Sequence, residues 1–254
     1  MSTWILLRGL TREARHWGDF PQKLSNALQG AKVIAIDLPG NGEFHAETSP
    51  TRIEDMTDRC RAELTRRGVP PPYRLLAISM GGMVAVDWAA RYTMEIDAAV
   101  LINTSMRPFS AFHQRLRISA WPRLLRTIVF PVSAEAIERA IFALISNQAQ
   151  TPVGLIEEWM HIRRTHPVSA ANALRQLRAA ARFRAPSAAP PVRLLVLAAT
   201  GDRLVNVLCS MALAHAWACE AVLHPTAGHD LPLDQGDWVI AQVCDWLVAT
   251  GRGQ

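Results

Sequence analysis

Tyr73-Arg74-Leu75-Leu76-Ala77-Ile78-Ser79-Met80-Gly81-Gly82-Met83-Val84-Ala85 runs from a strand-like segment straight into a helical one. The apolar run ends at a serine whose neighbours two positions away, Ala77 and Gly81, are both small. A strand that turns into a helix this tightly puts its corner residue in a strained backbone conformation, and larger side chains at −2 and +2 would collide across the turn. The pattern is A-x-S-x-G, with alanine where G-x-S-x-G has its first glycine. Alone such a pentapeptide says little; a strand before it and a helix after it give it weight.

Two later segments extend the pattern. Arg193-Leu194-Leu195-Val196-Leu197-Ala198 reads as a buried strand and leads into Ala199-Thr200-Gly201-Asp202. The short strand Ala221-Val222-Leu223-His224 is followed by Ala227-Gly228-His229-Asp230. An aspartate after one strand and a histidine after the next, both C-terminal to the serine, give the chain order of an α/β-hydrolase triad. The chemistry needs all three, because a serine hydroxyl is a poor nucleophile until an imidazole takes its proton. The imidazole in turn needs an acid to fix its tautomer and stabilise its charged form. Asp202 competes with Asp230, Asp234 and Asp237 for the acid role; the other three lie beside or beyond the histidine, where surface or capping roles are expected. His215 and His224 are the rivals of His229. His16, His45, His113, His161 and His166 have no ligand spacing, and no metal site is expected.

On these residues the chain resembles the α/β-hydrolase superfamily over nearly its whole length. The apolar runs Trp4–Leu7, Lys32–Asp37, Tyr73–Ile78, Ala98–Ile102, Arg193–Ala198 and Ala221–His224 predict six strands, alternating with helices near 21–28, 53–66, 82–92, 210–218 and 237–249. That alternation predicts an α/β fold with a mainly parallel sheet and helices on both faces. The resemblance implies strand order 2-1-3-4-5-6. Residues 105–190 break the alternation with helical patterns alone, at 111–128, 134–146, 153–164 and 169–182. The resemblance makes this segment a helical cap on a core formed by residues 1–104 and 191–254, closed by the stiff linker Ala185-Pro186-Ser187-Ala188-Ala189-Pro190-Pro191.

The family also implies two backbone N–H donors for a developing oxyanion, those of Met80 and Leu10. The loop Arg8-Gly9-Leu10 matches the family's His-Gly loop, but Arg8 stands in the histidine's place. Ile36-Asp37-Leu38-Pro39-Gly40-Asn41-Gly42 looks like the family's D-x-x-G-x-G turn and does not fit a phosphate-binding glycine pattern, so Asp37 is expected to be structural.

Half of the 254 residues are hydrophobic, enough for one substantial core. The apolar runs reach only about 5–8 residues against the roughly 20 that a membrane span needs. The N-terminal segment reads as a first strand rather than a signal peptide, so a cytoplasmic location is expected. Cys60, Cys209, Cys219 and Cys244 are scattered and are expected as free thiols. The net charge of +5 is uneven: residues 105–190 hold 12 arginines and 4 glutamates, a local charge of +8. Arginine stems covering helix faces would explain that, as would an acidic partner.

These features predict a cofactor-free serine esterase acting on small or medium acyl esters. Ser79 is the expected nucleophile, His229 the base and Asp202 the acid. The basic cap is a feature shared with methyl esterases that act on acyl-carrier-protein substrates, so an ester or thioester delivered by an acidic carrier protein is the alternative. A reading of another class is a non-catalytic ligand binder, against which the intact Ser79, Asp202 and His229 count. No nucleic-acid or membrane partner is expected; acyl length, alcohol and oligomeric state stay open.

Overall fold

The structure, a computed structural model, describes residues 3–129 and 133–251. Six strands form one sheet: β1 (Thr3–Leu7), β2 (Val33–Ile36), β3 (Tyr73–Ile78), β4 (Ile96–Ile102), β5 (Arg193–Ala199) and β6 (Glu220–His224). Their order is β2-β1-β3-β4-β5-β6, and every neighbouring pair is parallel. All-parallel strands are covered on both faces, and for that reason they read as continuous apolar runs rather than as alternating ones.

The two-residue period of a strand sorts those runs into two cores. Ile5, Leu7, Leu75, Ala77, Ala99 and Leu101 face one way. There they meet α2 (Ile53–Arg66), α3 (Met80–Arg91) and α9 (Val207–Trp217) through residues such as Met56, Val84 and Leu213. Trp4, Leu6, Leu76, Val100, Ile102 and Leu197 face the other way. They pack on α1 (Phe20–Ala27) and α10 (Leu231–Gly251) through Leu24, Val239 and Val243.

Between β4 and β5 lie α4 (Phe112–Arg115), α5 (Trp121–Val129), α6 (Ala134–Ile145), α7 (Leu155–Thr165) and α8 (Ala170–Arg182). Phe142, Ile145, Ile156, Trp159 and Ile162 give this segment an apolar cluster of its own. Its two ends meet: Ala185 N–H donates to the Arg107 carbonyl at 2.7 Å, beside an isolated parallel bridge between Arg107 and Arg184.

Two helices differ from expectation. The single helix over 111–128 is broken, because Leu116 is extended (φ −142°, ψ 111°) and Arg117 N–H donates to the Leu204 carbonyl at 2.9 Å. A tertiary hydrogen bond there replaces an intrahelical one. The last helix begins at Leu231, not near 237, and bends at Gln235, whose φ and ψ are −147° and 49°. All four cysteines are free thiols, and burial pushes the Cys60 thiol up to about 12.

Candidate active site

Ser79 sits at the corner between β3 and α3 with φ 57° and ψ −120°, a conformation that only surrounding structure can impose on a residue with a side chain. Three hydrogen bonds fix it: Ser79 N–H donates to the Ile102 carbonyl at 2.9 Å, while Gly82 N–H and Thr104 Oγ1 donate to the Ser79 carbonyl at 3.0 and 2.8 Å. Gly81 has no room for a side chain, since a Cβ there would lie 2.6 Å from the Leu7 carbonyl oxygen and 2.7 Å from that of Arg8. The +2 position is therefore small because the helix's first turn rests on the end of β1. Ala77, the −2 residue, is fully buried and pairs in register with Leu7 and Leu101.

Asp202 follows β5 and His229 follows β6, and both are buried. His229 Nδ1 lies 2.7 Å from Asp202 Oδ2. The other carboxylate oxygen accepts from Leu204 N–H and Val205 N–H at 2.7 and 2.8 Å, so Asp202 is held from two sides. With Nδ1 bound to a carboxylate, the imidazole leaves Nε2 for chemistry. Ser79, His229 and Leu10 line one cavity of about 110 Å³. Ser79, Leu10 and Met80 line a second of the same size, more apolar, walled by Met83, Phe112, Leu116 and Trp121. The two cavities meet at Ser79. Met80 begins α3, where first-turn N–H groups have no intrahelical acceptor and the dipole favours negative charge.

The other aspartates and histidines fall elsewhere. Asp237 is exposed. Asp234 accepts from Gly228 N–H, Asn147 N–H and Ser146 Oγ at 2.7, 2.9 and 2.5 Å, which ties the histidine loop to the end of α6. His224 Nδ1 accepts from Ala227 N–H at 3.0 Å and shapes the same loop. His215 lies on α9 and does not line either cavity. Asp37 accepts from Ala14 N–H and Glu43 N–H at 2.6 and 2.9 Å, inside a turn where Gly42 (φ 49°) leaves no space for a Cβ.

Asp230 occupies the position just before α10, and its carbonyl accepts from Leu233 N–H and Asp234 N–H at 3.0 Å, but it is buried rather than on the surface, and its carboxylate takes both terminal nitrogens of Arg8. Arg8 also lies over the Trp17 ring at 4.8 Å. The arginine in the family's histidine position thus joins the loop after β1 to the residue beside His229. Asn103 is a second residue that sequence reasoning missed. At φ 45°, it donates through Nδ2 to the His229 carbonyl at 2.8 Å and accepts from Ala199 N–H at 2.9 Å. Its only signal in the sequence is its place just after β4.

No group of three or more metal-ligating side chains occurs among the described residues. Among them, too, no helix is long and apolar enough to cross a membrane.

A model of the alpha/beta hydrolase family matches residues 4–242. RutD of Cronobacter turicensis, named as a candidate carbamate hydrolase, is 28% identical over 225 residues, 84% of this chain and 78% of that protein. A pimeloyl-[acyl-carrier protein] methyl ester esterase of Chromobacterium violaceum is 26% identical over 125 residues, 49% of this chain and 44% of its own. The other curated relatives match over less than a quarter of their own length. An enol-lactonase of Burkholderia xenovorans superposes with TM-score 0.78 at 20% identity, covering 98% of this chain and 92% of that one.

Breaking the Arg8–Asp230 pair from one side leaves a buried charge alone, which typically costs about 3–5 kcal/mol. Arg8→Met is expected to lower urea stability by about that amount, and Arg8→Met with Asp230→Leu to recover most of it. Losses that simply add in the double variant would contradict a buried, mutually dependent pair.

Proposed function

The chain belongs to the alpha/beta hydrolase family, and on that premise we propose that it is a serine hydrolase cleaving carboxylic esters of small or medium acyl groups. The observation that carries this reading is the 2.7 Å contact between His229 Nδ1 and Asp202 Oδ2, with His229 and the strained Ser79 lining one cavity. Ser79 Oγ attacks the ester carbonyl carbon as its proton passes to His229 Nε2, and the carbonyl π pair moves onto oxygen. The N–H groups of Leu10 and Met80 hold that oxyanion. Collapse expels the alcohol, which takes the proton from His229, and leaves an acyl-enzyme. A water, deprotonated by His229, repeats the sequence and releases the acid. Asp202 orients the ring and stabilises the imidazolium. The segment from α4 to α8 acts as a cap that walls the acyl or alcohol pocket and keeps bulk water out.

Ser79→Ala is expected to cut kcat on p-nitrophenyl esters by on the order of 10⁶, and Asp202→Asn by on the order of 10⁴. Alanine bears the same backbone strain as serine, so the first variant should keep its urea midpoint. Retention of a tenth of wild-type turnover by folded Ser79→Ala would remove Ser79 from the mechanism.

A second reading has one observation in its favour. A groove of about 380 Å³ is lined by Arg123 and Arg126 of α5, Arg203 and the apolar residues Ala136, Ile137, Ala140 and Ala143, with no carboxylate among the described residues that line it. An acidic carrier protein presenting an ester or thioester would find matching charge there. Reversing Arg123 and Arg126 to Glu should then lower kcat/KM for a carrier-protein ester roughly tenfold relative to the free ester, an effect that shrinks as salt screens exposed charges. Equal responses of the two substrates would leave the groove without that role.

A further inference from the structure

Three arginines, Arg8, Arg12 and Arg163, line the cavity that holds Ser79 and His229. Their carboxylates are unevenly shared. Arg8 is matched by Asp230. Arg12 and Arg163 divide a single acid, since Glu138 Oε2 accepts from Arg12 Nη1 at 2.8 Å and Glu138 Oε1 from Arg163 Nε at 2.5 Å. Glu138 is the only carboxylate hydrogen-bonded to either guanidinium among the described residues. The nearby Glu13 is taken by Arg15 and His166. One positive charge is therefore left over in the cavity wall.

The surplus is also an unmet hydrogen-bonding demand. Arg12 is buried, its guanidinium lies 4.2 Å from the Trp159 ring centroid, and its Nη2 has no partner at all. Burial lowers the Arg12 pKa despite Glu138, which marks the site as one where the charge is undercompensated. The adjacent imidazole adds no positive charge, because burial and the charges of Arg12 and Arg8 hold the His16 pKa well below its ordinary value. A buried cation without a carboxylate of its own is costly, and an anion in the adjoining cavity lowers that cost.

We propose that this lobe binds a carboxylate carried by the substrate, so that the hydrolase acts on esters with an anionic carboxylate tail. The proposal rests on the serine hydrolase reading for the reaction, but not for the binding. A monoanion matches the single surplus charge, whereas a dianionic phosphate would overfill it. The second, more apolar lobe under Phe112, Leu116 and Trp121, where the buried Arg115 donates to the carbonyls of Ala180 and Ala181, takes the uncharged part of the ester.

Monoethyl adipate and ethyl hexanoate share a six-carbon acyl chain and differ in whether it ends in a carboxylate or a methyl group. The wild type is expected to favour monoethyl adipate at least tenfold in kcat/KM, about 1.4 kcal/mol. That ratio should fall to one or below in Arg163→Gln and Arg12→Gln. Arg163 is half-buried, so its variant carries the test even where Arg12→Gln fails to fold. The preference should survive 0.5 M salt, because a desolvated contact is little screened. A wild-type ratio of one or less, or a ratio unchanged in Arg163→Gln, overturns the proposal. So does a preference that vanishes with salt, which would belong to the exposed arginines. Failure to cleave either ester would count against the hydrolase reading. Binding is then decided by the melting temperature with added monoethyl adipate, a monoanion that stays intact in that case: a rise seen in wild type and lost in Arg163→Gln upholds the carboxylate site, and no rise overturns it.

Discussion

A strand that becomes a helix within one residue leaves that residue no ordinary backbone conformation, and Ser79 occupies that corner. The turn holds because the first turn of α3 rests directly on the end of β1, with only glycine at 81 thin enough to allow the approach. Strain of this kind costs on the order of 1–3 kcal/mol and persists only where packing over-determines it. Here β1, β3 and β4 lie side by side in a sheet buried on both faces. The same contact brings the Arg8-Gly9-Leu10 loop against Ser79, where a Cβ on Gly9 would lie 3.0 Å from the serine's own Cβ. The carboxyl end of an interior strand thus carries a half-buried serine that lines two cavities.

The remaining parts of the site hang from the carboxyl ends of the neighbouring strands, where ligands bind in open α/β sheets. The parts of those loops that carry Asp202 and His229 are buried, and their polar groups must find partners inside the protein. Asn103, Asp234 and the Arg8–Asp230 pair supply them, and each touches the short loop that carries His229. Arg8 thereby joins the ends of β1 and β6, strands that are not neighbours in the sheet. Around this frame the arginines of α7 and of the loop after β1 set a charge balance that is not closed. Positioning of His229 and recognition of charge are consequently built from one connected set of buried side chains.

The six strands were legible because fully buried parallel strands leave unbroken apolar runs, and the sheet order came from the resemblance that those runs and the serine turn supported. Ser79, Asp202 and His229 could be singled out because each follows a recognisable strand at a glycine or small residue. Other features depend on partners far along the chain. Arg8 and Asp230 are 222 positions apart, and nothing local to Asp230 separates a buried ion-pair partner from a helix cap. The break at Leu116–Arg117 depends on the Leu204 carbonyl, and the Asn103 bridge depends on β5 and the histidine loop. Composition gave the positive charge of residues 105–190 but not its division. Most of those arginines are exposed, while Arg115 is buried against the carbonyls of Ala180 and Ala181 and Arg163 turns toward Glu138.

The proposed hydrolysis requires that His229 and Asp202 make Ser79 a reactive nucleophile. Intact-mass analysis after treatment with a fluorophosphonate tests it most directly, because phosphonylation needs an activated serine and does not need the natural substrate. One adduct per chain is expected, mapped to Ser79 by peptide sequencing and strongly slowed in His229→Gln. Folded protein that stays unlabelled, or that carries its label on another residue, would contradict it.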